Sequence, residues 1–406
     1  MIIKNLNIEN KNSIFKVSVE VKINNENKLL WFSVPDKYKN YVCTTQYDGF
    51  LVGLLYPAMI NGEDIQIEGR VSSKLLFNIN NYVIPLLCSF SEKAKKIRVT
   101  CVEKSYENFN GKGVGTGFSG GVDSFSTIYD HYELEKDSVY KINSLLFLNV
   151  GSHGWDKEEV IYSKFMKRYN YLKKFPEEIG LEFIPVDSNL YKFHPWGHQL
   201  TCSLTLAAGV LFVQKKYSKY FCASLGWSYL EILEYYKDDL GKDIAIFDPI
   251  LLSLLSTESL ELIADGTQYT RVEKVKNIIK YEPIYKYLNV CVSGEDTHEN
   301  CSVCSKCSRT LMTLDSLNII DNFNHLFDIK KYRKKAQKKY IAYQVLRKKT
   351  DAFAKDNVEL AKLNNKVLPT KIESFFICLP DLIKNYIVAN LSTNTKRKIK
   401  KILKKK

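Results

Sequence analysis

With 406 residues, 45% of them apolar and 13% aromatic, the chain can bury full cores in two or three domains, which excludes wholesale disorder. Its formal charge of +14 is uneven: residues 331–406 hold 22 Lys+Arg against 5 Asp+Glu, a net of +17, and residues 1–330 are left at −3. The opening segment lacks the order of a signal peptide, and the most apolar run, Leu204 to Val213, falls far short of the ~18 residues that suggest a membrane span. Six scattered cysteines (Cys43, Cys88, Cys101, Cys202, Cys222, Cys378) fit reduced thiols, so a cytoplasmic location is expected.

Residues 1–110 read as a β-rich accessory domain. Phe15 to Val21 alternates apolar and polar residues at the two-residue period of a half-buried strand, and Leu30 to Val34, Ile65 to Val71 and Ile97 to Val102 read similarly. Asn61-Gly62 is a turn signal. No catalytic constellation stands out. The expectation is a small sheet that packs on the core or makes it a homo-oligomer, with recognition of a substrate or partner as the alternative.

Asn108 to Gly113 reads as a linker, and from there to residue 325 strands and helices alternate. Apolar strand runs fall at Val114–Phe118, Leu145–Val150, Leu181–Val186, Tyr220–Leu225 and Leu288–Val292, with helical stretches at Lys157–Lys173 and Gln199–Lys215 between them. Strands buried on both faces and separated by helix-length segments imply an α/β fold with a doubly wound parallel sheet. Its ligand is expected in the crevice at the carboxyl ends of the strands.

The first of those strands runs into Ser119-Gly120-Gly121-Val122-Asp123-Ser124, with a helix starting near Asp123. Glycines let the backbone approach a polyanion, and the N–H groups of the following helix favour negative charge. Ser119 and Ser124 add hydroxyl donors, and Asp123 is of the type that holds magnesium against phosphate oxygens. No Gly-Lys-Ser/Thr closes the loop, so it is not Walker A. Asn149-Val150-Gly151 and Ser224-Leu225-Gly226 end the neighbouring strands; Asn149 and Gly151 are candidates for backbone contact with a base, and Gly226 for close approach.

His153, His194 and His198 invite a metal or base role, but Pro195 and Gly197 make their segment a loop, where histidines ordinarily serve surface or packing. Asp187 follows a strand end and reads as a cap or a site residue. Thr257 to Glu261 is expected to open a helix. Arg271 and Lys274 share one face of the next helix, where a cation could stabilise charge developing on phosphate, with Lys192 as a further candidate.

Cys291, Cys301, Cys304 and Cys307 form a C-x9-C-x2-C-x2-C array. Four thiolates with overlapping C-x2-C pairs suit one tetrahedral zinc with no open position, hence a structural ion, with reduced thiols in a turn or an iron–sulfur site as the alternatives. Residues 326–406 form a basic, mostly helical extension with blocks at Lys330–Lys335 and Lys396–Lys406. Such blocks attract nucleic acid or an acidic partner, and Ile399, Ile402 and Leu403 also suit an anionic membrane.

The SGGxDS loop resembles the pyrophosphate loop of the N-type ATP pyrophosphatases, which split ATP into AMP and pyrophosphate while adenylating a substrate oxygen. Loop and cysteine array together resemble the 7-cyano-7-deazaguanine synthase family over roughly residues 113–320. The resemblance implies ATP, Mg²⁺ and Zn²⁺ as cofactors, with Ser119, Gly120, Gly121, Val122, Asp123 and Ser124 on ATP and the four cysteines on zinc. It also implies a 7-carboxy-7-deazaguanine-like acceptor attacked by ammonia. The Tyr-Pro-Asp-Cys-Arg substrate motif of such synthases is not found; Ser224 to Ser228 and Asp265 to Arg271 take its place. Ser119, Asp123 and Arg271 are the expected catalytic residues. The alternatives are a PP-loop enzyme acting on a tRNA base or a partner protein, and a non-catalytic nucleotide-binding scaffold. A thiolase would want a reactive cysteine pair, for which Cys202 and Cys222 are the candidates.

Overall fold

A computed structural model describes residues 1–154, 156–223, 226–291 and 298–390. Ser224 and Leu225, part of the polar segment after Cys291, and the block Lys396–Lys406 lie outside the described residues. Ten strands form one sheet in the order β10-β9-β6-β7-β8-β3-β2-β1-β4-β5. Their bounds are β1 Ile2–Lys11, β2 Ile14–Ile23, β3 Glu26–Pro35, β4 Ile65–Ser72 and β5 Val99–Ser105. The others are β6 Gly113–Gly117, β7 Ser144–Asn149, β8 Glu182–Ser188, β9 Tyr217–Ala223 and β10 Glu261–Asp265. Strands β10, β9, β6, β7 and β8 pair in parallel, the expected α/β core.

The strands of residues 1–110 belong to that same sheet. β3 joins β8 antiparallel through Phe32↔Ser188 and Ser33↔Asp187. Beyond this short ladder Asn189 takes over: its side-chain oxygen accepts from the Trp31 N–H at 2.9 Å, and its amide donates to the Leu29 carbonyl at 2.8 Å. The Ser188 hydroxyl donates to the Trp31 carbonyl at 2.7 Å. A side chain thus continues the hydrogen bonding after the strand has ended. Phe32 seals the seam, with its ring centroid 5.4 Å from Phe50 and 5.3 Å from Phe212.

Phe50 and Phe212 lie on two helices, Asp48–Asn61 and Cys202–Phe212, which bury nearly every side chain. The first is apolar on all sides, so it has no helical stripe, and the sequence pattern passes over it. Gly62 caps it in the left-handed region at φ 73°, which is the turn signalled by Asn61-Gly62.

Two expectations are corrected in the parallel half. Thr257 to Glu261 opens no helix: the Thr257 hydroxyl accepts from the N–H groups of Ser259 and Leu260 at 3.2 Å each, closing a turn, and β10 follows. Leu288–Val290 forms no strand; Asn289 instead donates its backbone N–H to the Gly120 carbonyl at 2.7 Å.

The chain forms two compact units, residues 1–290 with 295–298, and residues 291–294 with 299–406. The second is helical, with Ser305–Ser316, Lys338–Arg347, Ala352–Leu363 and Lys371–Asn390 as its main helices. Met312, Val345, Val358 and Ala361 form a buried cluster among them. No helix of the described residues is long and apolar enough to cross a membrane.

Candidate functional site

Because β6 lies between β9 and β7, all three parallel, their carboxyl ends open on one edge of the sheet. The loop after β6 turns at Gly120, whose φ of 79° and close neighbour Leu172 leave no room for a side chain. Gly121 then caps the helix Val122–Ile128. Inside the loop the Ser124 hydroxyl donates to the Gly121 carbonyl at 3.1 Å, and the Ser119 and Ser124 hydroxyls stand 3.4 Å apart.

Two residues that local sequence gives no reason to select hold this loop. Arg168 donates to the Ser119 carbonyl at 3.0 Å, to the Asn289 side-chain oxygen at 2.9 Å and to the His298 carbonyl at 3.2 Å. Asn289 bonds the Gly120 carbonyl through its backbone and the His298 carbonyl through its amide, at 2.7 and 2.6 Å. In the sequence Arg168 is one cation among several on an amphipathic helix, so its partners are visible only in three dimensions.

Asp123 faces the two cations singled out on the helix Arg271–Ile278. Arg271 donates to its Oδ1 at 2.9 Å and Lys274 at 3.2 Å. Thr270 and Glu273 form a capping box that fixes the start of this helix. Lys274 is fully buried, and its ammonium would stand only 2.6 Å from a Cβ placed on Gly266. Gly266 also has a φ of 91°, so this turn requires glycine twice over. A buried ammonium needs fixed partners, and Asp123 is one.

The residue before Gly266, Asp265, anchors a buried network. Its carboxylate accepts from the Thr127 hydroxyl at 2.6 Å and pairs with His131 Nε2 at 2.9 Å. Burial works against a charged His131, but Asp265 outweighs it and raises the imidazole pKa above its usual value. The ring stacks on Phe221 at 3.9 Å. Burial and the nearby Asp265 charge push the Asp130 carboxyl up to about 6.

At the ends of β7 and β8 the chemistry is different. The Asn149 amide donates to Asp187 at 2.5 Å, and its oxygen lies 3.1 Å from His153 Nδ1. Burial pushes Asp187 up to about 6 and His153 down to about 4. Gly151 turns beside them at φ 119°. Gly226 is buried next to Trp227. His194 is a packing histidine, its Nε2 2.7 Å from the Gly53 carbonyl, while His198 is exposed. Lys192 pairs with Glu158 at 2.6 Å. Burial raises the Cys202 and Cys222 thiols far above their ordinary range, which leaves neither a ready nucleophile.

The four cysteines of the array place their sulfurs within 4.8 Å of one another. Cys291 and Cys304 are 4.0 Å apart, as are Cys301 and Cys307. Thiolates at the ~2.3 Å bond length of tetrahedral zinc stand ~3.8 Å apart, so the arrangement fits a zinc-type ion. Backbone N–H groups point at the sulfurs: Cys301 N donates to Cys291 at 3.4 Å and Cys304 N to Cys301 at 3.3 Å. Cys304 is also the N-cap of the helix Ser305–Ser316, where negative charge is favoured. Neither a family model, nor a curated protein, nor a solved structure matches this chain.

Proposed function

We propose that the chain is an ATP-dependent adenylating enzyme that splits ATP into AMP and pyrophosphate, as the N-type ATP pyrophosphatases do. The observation that carries this reading is the meeting of Asp123, Arg271 and Lys274 at the mouth of the Ser119–Ser124 loop. Arg168, Arg271 and Lys274 surround a loop whose one carboxylate is Asp123, a balance suited to a polyphosphate.

In this reading the backbone of Gly120, Gly121 and Val122 and the hydroxyls of Ser119 and Ser124 take the β- and γ-phosphates. Asp123 would hold a magnesium ion, which neutralises phosphate charge when bound. Arg271 and Lys274 stabilise the charge that develops on the α-phosphate and the departing pyrophosphate, and the protein supplies no nucleophile. The acceptor is a carboxylate or carbonyl oxygen, such as that of a 7-carboxy-7-deazaguanine-like molecule; ammonia or an amine displaces AMP to give an amide. For a nitrile a second ATP adenylates the amide oxygen, which leaves with AMP as the nitrogen gives up its protons. Asn149 and Gly151 would flank the base. The cysteine array would hold a structural Zn²⁺, since four sulfurs leave no open position. A macromolecular acceptor is the second reading, favoured by the basic second unit; the raised thiols of Cys202 and Cys222 speak against sulfur transfer to tRNA.

The test supplies purified protein with ATP, Mg²⁺, ammonium and 7-carboxy-7-deazaguanine, followed by mass spectrometry, with Asp123→Ala as control. A nitrile with two AMP for each, absent from the variant, establishes the synthase reading. AMP without nitrile moves the search to tRNA or protein acceptors. No AMP with any of these acceptors overturns adenylation and leaves a nucleotide-binding scaffold.

A further inference from the structure

Over residues 371–384 the helix Lys371–Asn390 buries Ser374 and Cys378, half-buries Ile377 and Leu379 and exposes five large apolar side chains. Ser374 and Cys378 are 0% and 2% exposed, the Cys378 thiol is 4.0 Å from the Lys339 carbonyl, and Asp381 pairs with Lys339. In contrast Ile372 is 72%, Phe375 46%, Phe376 64%, Leu382 38% and Ile383 51% exposed. At ~100° per residue these five fall within an arc of ~120° that also holds half-buried Leu379, with Cys378 at its edge and Ser374 and Asp381 on the far side. An apolar arc of that width is the face a helix ordinarily buries. Left in water as one patch, it marks an interaction surface.

The surroundings are cationic. Residues 331–384 hold 14 Lys+Arg against 5 Asp+Glu. Three of those acids are engaged locally, Asp351 with Arg347 at 3.1 Å, Glu373 with the Thr370 N–H at 2.7 Å and Asp381 with Lys339. Lys362, Lys371 and Lys349 crowd Lys348 and hold its pKa below the ordinary lysine value, the mark of positive charge short of counter-charge. On the helical wheel Lys371 borders the apolar arc. The sequence beyond adds 8 Lys+Arg and no acid between residues 396 and 406.

We infer that this helix docks on an anionic lipid bilayer. It would lie in the plane of the interface, with Ile372, Phe375, Phe376, Leu382 and Ile383 at the acyl boundary and the lysines at headgroup phosphates. Two other occupants suit it less well. A second copy of the chain covers the apolar arc but brings together two faces with the same positive surplus. A nucleic acid neutralises the lysines and leaves the phenyl and isoleucyl groups in water. A bilayer of anionic lipid answers both features, and basic charge plus an apolar face supplies the two signals that stable surface binding requires.

The experiment sediments the full chain with sucrose-loaded vesicles of phosphatidylcholine, with and without about 30% phosphatidylserine, in low and high salt. The expected result is binding to the anionic vesicles alone. Phe375→Ser with Phe376→Ser should weaken it by ~10-fold or more while every lysine stays in place. Leu382→Ser with Ile383→Ser is the second variant, and the circular-dichroism melt shows which variants remain folded. Equal binding by wild type and folded variants overturns the inference, because lysines alone would then account for it. So does failure to sediment, a dimer that the same substitutions dissociate, or RNA binding with the same sensitivity to them.

Discussion

The glycine loop and the cysteine array are both short loops that lead into a helix, yet their backbones serve opposite ends. At the cysteine array the N–H groups of Cys301 and Cys304 are directed at sulfurs of the array itself, and four thiols close on a common point. At the glycine loop the carbonyls are the groups held from outside, by Arg168 and Asn289, and the serine hydroxyls bond within the loop. One N–H of the loop also stays inside it, Gly121 donating to the Ser119 hydroxyl at 3.5 Å. The first arrangement fits an ion among its own four sulfurs; under the proposed function the second would be completed by the phosphates of a nucleotide.

The largest effect that separates the two should come from the array. Cys304→Ser should lower the bound zinc from one equivalent towards none and destabilise the second unit by several kcal/mol, on the order of the share one thiolate has in a structural site. Metal content by plasma spectrometry and a melt with chelator check this. Nucleotide binding by the first unit should survive, and its loss would break the separation.

Next in size is the cradle. Lys274→Met should slow AMP formation by ~10²–10³-fold, the typical cost of one donor that stabilises developing charge. Because Asp123 stays partly exposed, the melting temperature should move little. A large loss of stability with unchanged kcat would show Lys274 to be a packing residue only.

Gly266→Ala probes the same ammonium from behind. Its Cβ would stand 2.6 Å from Lys274 Nζ, and its φ of 91° is strained for alanine, so a loss of about 1–3 kcal/mol is expected along with slower turnover. Urea titration and single-turnover kinetics measure the two parts.

A smaller effect is a test of pH. Burial holds the His194 imidazole at about 4, below its ordinary value, so its neutral form belongs to the fold. The stability it contributes is complete above pH ~6.5 and falls as the pH drops towards 4, by ~2 kcal/mol at pH 5. His194→Gln should flatten that slope in urea midpoints between pH 7 and 5. An unchanged slope would assign the acid sensitivity elsewhere.

How much of this could be read in the chain depends on distance along it. The Ser119–Ser124 loop and the four cysteines are local patterns, and so is the pair Arg271 and Lys274, one helical turn apart. What escaped is long-range or unpatterned. Arg168 and Asn289 meet the loop from 49 and 169 positions away, and nothing in their own neighbourhoods predicts it. The helix Asp48–Asn61 lacks a polar face to reveal its period. Thr257 imitates a helix cap because the same hydroxyl chemistry closes a turn. The seam between β3 and β8 depends on Ser188 and Asn189, whose polar side chains say nothing by themselves about a partner near residue 30.

That seam also changes what the first hundred residues are for. β8 ends the parallel set, and without β3 its free N–H and carbonyl groups would form an open rim inviting a strand from another molecule. The N-terminal strands pair with that rim at Asp187 and Ser188 and move the sheet's margin out to β5. A chain cut back to residue 111 would therefore bare the end of β8 that Phe32 and Ser33 now pair. Edge-to-edge assembly of the shortened chain, read by its sedimentation, is the expected consequence.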